Sequence, residues 1–140
     1  MTRILIVLAP YYRHIADELL KGAIETLEAA GATHEIIEVP GAFEVPAAIG
    51  FAAGANYDGY IALGCVIRGE TTHYDYVCEE SARGLQELAL DGLAIGYGIL
   101  TVENEVQALA RASRTKKNKG GEAARACLAM IALKRRFEAK

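Results

Sequence analysis

A three-layer α/β sandwich on a four-stranded parallel sheet is the fold class that this 140-residue sequence predicts. Three observations predict it: four short apolar runs rich in Val, Ile and Leu, a helix-length segment after each, and glycine or proline at most junctions. Strands and helices that alternate in this way form right-handed β-α-β units, whose sheet is covered on both faces.

The elements follow in order. "RILIVLA" (Arg3 to Ala9) is a β-branched apolar run of the kind that forms a strand buried on both faces. A helix is predicted from about His14 to Ala30, because Ile15, Leu19, Leu20, Ala23, Ile24 and Leu27 recur at three- and four-residue steps, and Gly31 stops it. "HEIIEVP" (His34 to Pro40) is a second strand ending at proline. "FEVPAAIGFAA" is a shorter helix whose Pro46 fits only in its first turn. "DGYIALGCVI" gives the third strand, followed by a helix from about His73 to Leu90. The fourth strand, "LAIGYGILTV", precedes "ENEVQALARAS" and a last helix from about Gly121 to Phe137, where Lys134, Arg135 and Arg136 sit at the negative end of the helix dipole. No linker or internal repeat interrupts the pattern, so residues 1–140 are expected to form a single domain with a flavodoxin-like sheet.

Composition narrows the function. At 52% hydrophobic and 24% charged residues the chain is globular rather than disordered, and a net charge of −3 argues against non-specific binding to nucleic acid or an anionic membrane. Cys65, Cys78 and Cys127 form no C-x-x-C pair and have no ligand-spaced histidines, so neither a disulfide framework nor a metal site is expected. The apolar runs are too short to span a bilayer and no signal peptide precedes them, which makes a reducing cytoplasm the expected location.

In open α/β sheets, ligands bind beyond the carboxyl ends of the strands. Here those ends are Ala9 to His14, Pro40 to Glu44, Gly64 to His73 and Gly98 to Asn104. In "GCVIRGETTHYDYV", Gly64 and Gly69 allow a tight turn or close approach of a ligand, and Thr71 or Thr72 can cap the next helix. The amides there suit an anion such as phosphate, although an ordinary helix cap would read the same. His73 lies in the first helical turn, where the dipole disfavours imidazolium and leaves a neutral ring that can exchange protons near neutral pH. In "VPGAFEVP" the small Gly41 and Ala42 let a ligand lie along the backbone and Glu44 can accept from hydroxyls; a plain turn with Phe43 buried is the alternative. Tyr11, Tyr12 and Tyr97 are flat surfaces for a heterocycle, or else core or interface residues. Arg111 stands apart from the basic loop Arg114, Lys116, Lys117 and Lys119 because it lies on a helix, and an arginine is the usual bidentate partner of phosphate or carboxylate.

Taken together, "VPGAFEVP", "LGCVIRGETTHYDYV", "GILTVEN" with "QALARAS", and "NKGGEAA" resemble the 6,7-dimethyl-8-ribityllumazine synthases over roughly Arg3 to Phe137. The resemblance implies a transferase of riboflavin biosynthesis that condenses 5-amino-6-(D-ribitylamino)uracil with 3,4-dihydroxy-2-butanone 4-phosphate, releases phosphate and water, and uses no metal or organic cofactor. It implies His73 as general acid/base, Glu122 as its carboxylate neighbour, and Arg111 on the departing phosphate with Gly69, Glu70, Thr71 and Thr72. Tyr11 would stack on the pyrimidine, Ala42, Phe43 and Glu44 would line the ribityl chain, Cys65, Val66 and Ile67 would border the ring, and Lys119 would stand near the polar end of the substrate. Sites of this family lie between subunits of a pentamer, so Tyr97 and Arg111 are expected to face a partner's cleft.

The sequence departs from the family pattern at Tyr11, where phenylalanine is usual, and at Cys65, where threonine is common. The chain starts almost at its first strand, and "SRTKKNKG" lacks the glycine-containing pattern that accompanies icosahedral shells. A free pentamer, or two pentamers face to face, is therefore expected. The rival implied by the same fold is a lumazine or flavin carrier without turnover, against which stand His73, Arg111 and Lys119. An FMN electron carrier would need a Ser/Thr/Gly-rich loop after the first strand, which "APYYRH" is not.

Overall fold

The computed structural model describes residues 1–139. Its strands are β1 (Arg3–Leu8), β2 (Thr33–Glu38), β3 (Gly59–Ile67) and β4 (Ile95–Val102), and its helices are α1 (Arg13–Ala29), α2 (Val45–Ala52), α3 (His73–Leu90), α4 (Glu105–Ala112) and α5 (Lys119–Glu138). The sheet is parallel throughout with the order β2-β1-β3-β4, which is the predicted flavodoxin-like arrangement.

The period of two along each strand divides the core into two layers. Ile4, Ile6 and Leu8 of β1, with Ile61 and Leu63 of β3, face Ile15, Leu19 and Leu27 of α1 and Cys127 and Ile131 of α5. Leu5 and Val7, with Tyr60 and Ala62, face Val45 and Ile49 of α2 and Val77 and Leu85 of α3. A side chain of leucine size buried this completely stabilises the fold by about 1.5–3 kcal/mol relative to exposure.

Four local outcomes refine the expected elements. Gly31 adopts φ 74° and ends α1 as its sequence position predicts. The segment after β2 begins as a 3-10 turn over Ala42–Glu44 before α2, because Gly41 is extended and Pro46 occupies the first turn of the helix. Helix α5 starts earlier than expected, at Lys119: Asn118 takes the left-handed conformation (φ 46°) and its Oδ1 accepts from the Gly121 amide at 3.2 Å. Strand β2 departs from the picture of a sheet covered on both faces. It is an edge strand paired only with β1, and Ile36 and Ile37 remain 40% and 38% exposed.

Close backbone approach sets the position of α5. A Cβ on Gly96 would lie 2.0 Å from the Ala123 carbonyl oxygen, and one on Gly120 would lie 2.0 Å from the Leu19 carbonyl oxygen. The first turn of α5 is thus wedged against α1 while its second turn lies on the backbone of β4.

Candidate active site

Three adjacent strand ends and one helix start enclose a cleft of about 570 Å³. Tyr11 and Tyr12 come from the end of β1, Gly41 to Glu44 from the turn before α2, Cys65, Val66 and Ile67 from the end of β3, and Gly69, Thr71 and His73 from the following loop and the start of α3. Order β2-β1-β3 brings these segments side by side, at the crevice where the connections diverge to opposite faces.

The walls are mostly apolar. Tyr11 is 75% exposed and meets Tyr12 edge-on, with ring centroids 5.0 Å apart, so its face is open to a planar ligand. Phe43 is 55% exposed and lines the cleft, which removes the reading that places it in the core. Burial holds the Cys65 thiol neutral by pushing its pKa up to about 12, and burial also raises the Tyr12 hydroxyl, with Tyr11 adding to the effect. Neither group supplies charge to the cleft near neutral pH.

The polar end is the loop before α3. Thr71 Oγ1 accepts from the His73 amide at 3.3 Å, whereas Thr72, at the N-cap position, makes no side-chain cap. Among the described residues, no hydrogen bond is made by the backbone N–H groups of Glu70, Thr71 and Thr72. Unpartnered donors in succession at a helix start form a cradle for an anion. A Cβ on Gly64 would crowd Ala9 Cβ at 3.2 Å, so packing accounts for that glycine. A Cβ on Gly69 would meet nothing within 4 Å, so no neighbour in this chain requires a glycine there.

The other residues singled out in the sequence lie outside this cleft. Glu70 and Thr72 belong to the same loop but do not form its wall. Tyr97 lines a separate hollow of about 270 Å³ with Leu85, Gln86 and Ile95. Arg111 is half-buried on α4, and its Nη1 donates to the Gln107 carbonyl at 3.1 Å. Lys119 and Glu122 pair with each other across the first turn of α5 at 3.1 Å, and among the described residues no hydrogen bond or ion pair joins Glu122 to His73. The chain therefore carries two separate sets of candidate residues.

A sequence model of the 6,7-dimethyl-8-ribityllumazine synthase family matches residues 1–135. The chain belongs to that family. A relative named 6,7-dimethyl-8-ribityllumazine synthase from Sphingopyxis alaskensis is 61% identical over 138 residues, covering 98% of each chain. One from Rhizobium meliloti, named 6,7-dimethyl-8-ribityllumazine synthase 1, is 58% identical over 98% of this chain and 94% of its own, and one from Bartonella henselae is 58% identical over 96% and 89%.

Within this member of the lumazine synthase family, sequence reasoning missed Tyr74 and Val77 as cleft residues. The signal was available: on a helix beginning at His73, the residue four positions on shares its face. Pro40 also lines the cleft, beside the predicted Gly41 and Ala42. No group of three or more His, Cys, Asp or Glu side chains suited to a metal ion occurs among the described residues, and no helix among them is long and apolar enough to cross a membrane.

Proposed function

We propose that this protein is a transferase that condenses 5-amino-6-(D-ribitylamino)uracil with 3,4-dihydroxy-2-butanone 4-phosphate to 6,7-dimethyl-8-ribityllumazine, releasing phosphate and water. The observation that carries the reading is an open aromatic face, Tyr11, in a cleft that Gly69, Thr71 and His73 also line, with the unpartnered amides of Glu70, Thr71 and Thr72 in that same loop. The first suits a planar pyrimidine and the second a phosphate, and the cleft of about 570 Å³ is of the size of a small-ligand site.

In this reading Tyr11 stacks on the pyrimidine, Cys65, Val66 and Ile67 border its ring, and Ala42, Phe43 and Glu44 accommodate the ribityl chain. The 5-amino group attacks the ketone and the adduct loses water to give an imine. Loss of the C3 proton forms a C3=C4 double bond as the C4–O bond breaks, its electron pair leaving with phosphate held by the loop Gly69 to Thr72, and the resulting enol tautomerises to a ketone at C3. The ribityl-bearing nitrogen attacks the remaining carbonyl, and loss of a second water closes the ring. His73 takes and returns the protons of these steps. Much of the acceleration comes from holding two reactive molecules in contact, so His73 contributes less than the groups that bind phosphate.

We further propose that the 140-residue chain works as one domain and that the second set of residues completes the cleft of a neighbouring subunit. Tyr97 then covers the bound ring, Arg111 grips the phosphate, Lys119 meets the polar end of the substrate, and Glu122 faces the neighbour's His73. The separation of these residues from the cleft of their own chain supports this division. The assembly proposed is a pentamer, free or face to face with another, in a reducing cytoplasm where the three thiols stay free.

The test is to mix the two substrates with and without protein, follow lumazine formation and subtract the spontaneous condensation. Acceleration that collapses in Arg111→Ala upholds the synthase; tight lumazine or riboflavin binding without acceleration replaces it with a carrier. Light scattering gives the mass, and a monomer that is fully active would overturn the shared site.

A further inference from the structure

We propose that Arg68 is a positioning residue that fastens the phosphate-binding loop and the start of α3 to the β4–α4 turn, and thereby sets the affinity for the phosphorylated substrate. The kinetic half of this inference rests on the synthase reading; the structural half does not.

Arg68 leaves the end of β3 immediately before Gly69, and its backbone is fixed by donation to the Val102 carbonyl at 2.9 Å. Its guanidinium makes three contacts with two different segments. Nε lies 3.0 Å from a carboxylate oxygen of Glu103, Nη2 lies 3.4 Å from Asp75 Oδ1, and Cζ stands 4.3 Å from the centre of the Tyr74 ring. Tyr74 is itself a wall of the cleft and follows His73 directly. A planar cation with a fork of donors can hold two carboxylates and a ring face at once; a lysine ammonium cannot.

Beyond Glu103 the connection continues. The Glu103 amide donates to Gln107 Oε1 at 2.8 Å, and the Gln107 carbonyl accepts from Arg111 Nη1 at 3.1 Å. One guanidinium thus links the start of the His73 helix to the segment that carries Arg111. Exposed pairs taken singly contribute little, but here two carboxylates and a ring face share one guanidinium. Charge gives a second reason. Asp75 and Glu103 both stand against the same guanidinium, so its removal leaves two uncompensated carboxylates near a loop that must receive a phosphate.

The experiment compares Arg68→Ala, Arg68→Lys and Glu103→Gln with the unaltered assembly by two readouts. Hydrogen exchange of the Asp75 and Tyr76 amides, which donate to the Thr72 carbonyl at the start of α3, is expected to quicken about tenfold in Arg68→Ala. KM for the butanone phosphate is expected to rise about tenfold while KM for the pyrimidine stays within about twofold. Arg68→Lys restores the charge but not the bridge, so it recovers part of the KM and leaves the exchange fast. Glu103→Gln keeps a polar partner, serves if Arg68→Ala fails to assemble, and is expected to quicken the same amides less. Unchanged exchange in these variants, or an equal rise in both KM values, overturns the inference. If the unaltered protein does not accelerate the condensation, the synthase reading falls and exchange alone decides the role of Arg68.

Discussion

Replacing Gly120 by alanine drives a methyl group into the main chain of α1. The new Cβ would sit 2.0 Å from the Leu19 carbonyl oxygen and 2.7 Å from its carbon, about 1 Å closer than real side chains come. Neither atom belongs to a flexible side chain, so relief requires α5 to move off α1 as a body. Forced over-packing costs about 1–3 kcal/mol, and a backbone obstacle places this variant near 3 kcal/mol. Unfolding entropy of about 2.1 cal/mol/K per residue amounts to roughly 0.3 kcal/mol/K for this chain, which converts the loss into a Tm lower by about 10 °C. The control is Gly54→Ala, whose Cβ would meet nothing within 4 Å, with an expected change within about 0.5 kcal/mol. Scanning calorimetry and urea titration of both variants decide the matter. A Gly120→Ala shift no larger than that of Gly54→Ala would refute the claim that the α1–α5 contact is closed at backbone level. Activity should fall as well, because Lys119 and Glu122 ride on the displaced turn.

Arg111→Ala should lower kcat/KM by at least about 10²-fold and His73→Ala by about tenfold, read in the condensation assay; the reverse order would show proton transfer to outweigh phosphate binding. Gly69→Ala should leave the Tm unchanged yet raise KM for the butanone phosphate about tenfold, since the chain itself leaves its Cβ free space and only a ligand would meet it. Cys127 is buried with its thiol pushed up to about 12, so above the unfolded thiol pKa the unfolded state binds fewer protons than the native one. Stability from this group is complete below about pH 8.5 and falls by up to about 1.4 kcal/mol per pH unit until about 12; urea titrations across that window in reductant should show the slope reduced in Cys127→Ala. Asn118→Ala should cost about 1–2 kcal/mol by urea titration, having lost both the cap and a residue tolerant of left-handed backbone, and Asn118→Gly should cost less than Asn118→Ala because its backbone fits.

The strands and their order of use were legible because Arg3–Leu8, Gly59–Ile67 and Ile95–Val102 are apolar runs whose character survives any packing. The cleft was legible to the extent that its residues cluster at strand ends: Tyr11, Ala42, Phe43, Glu44, Cys65, Val66, Ile67, Gly69, Thr71 and His73 all line it. The start of α5 was less legible, since the left-handed Asn118 that advances it reads in sequence as part of a polar loop. The exposure of β2 could not be read at all. "EIIE" sets two apolar residues between two carboxylates, and what covers Ile36 and Ile37 on an edge depends on neighbours rather than on the strand itself. For the same reason Tyr97, Arg111, Lys119 and Glu122 could be named as residue types without being brought to the cleft of their own chain.

That open edge has a consequence for the chain in solution. Unpaired amides and carbonyls along β2, with Ile36 and Ile37 beside them, are a template on which another chain's extended segment can grow. Two carboxylates stand guard on the same strand, Glu35 held by Arg3 and Glu38 held by Arg13, and those arginines keep both acids ionised below the usual carboxylate range. The guard therefore persists as the medium turns mildly acidic but weakens in concentrated salt, so the chain is safest from clumping where ions are dilute.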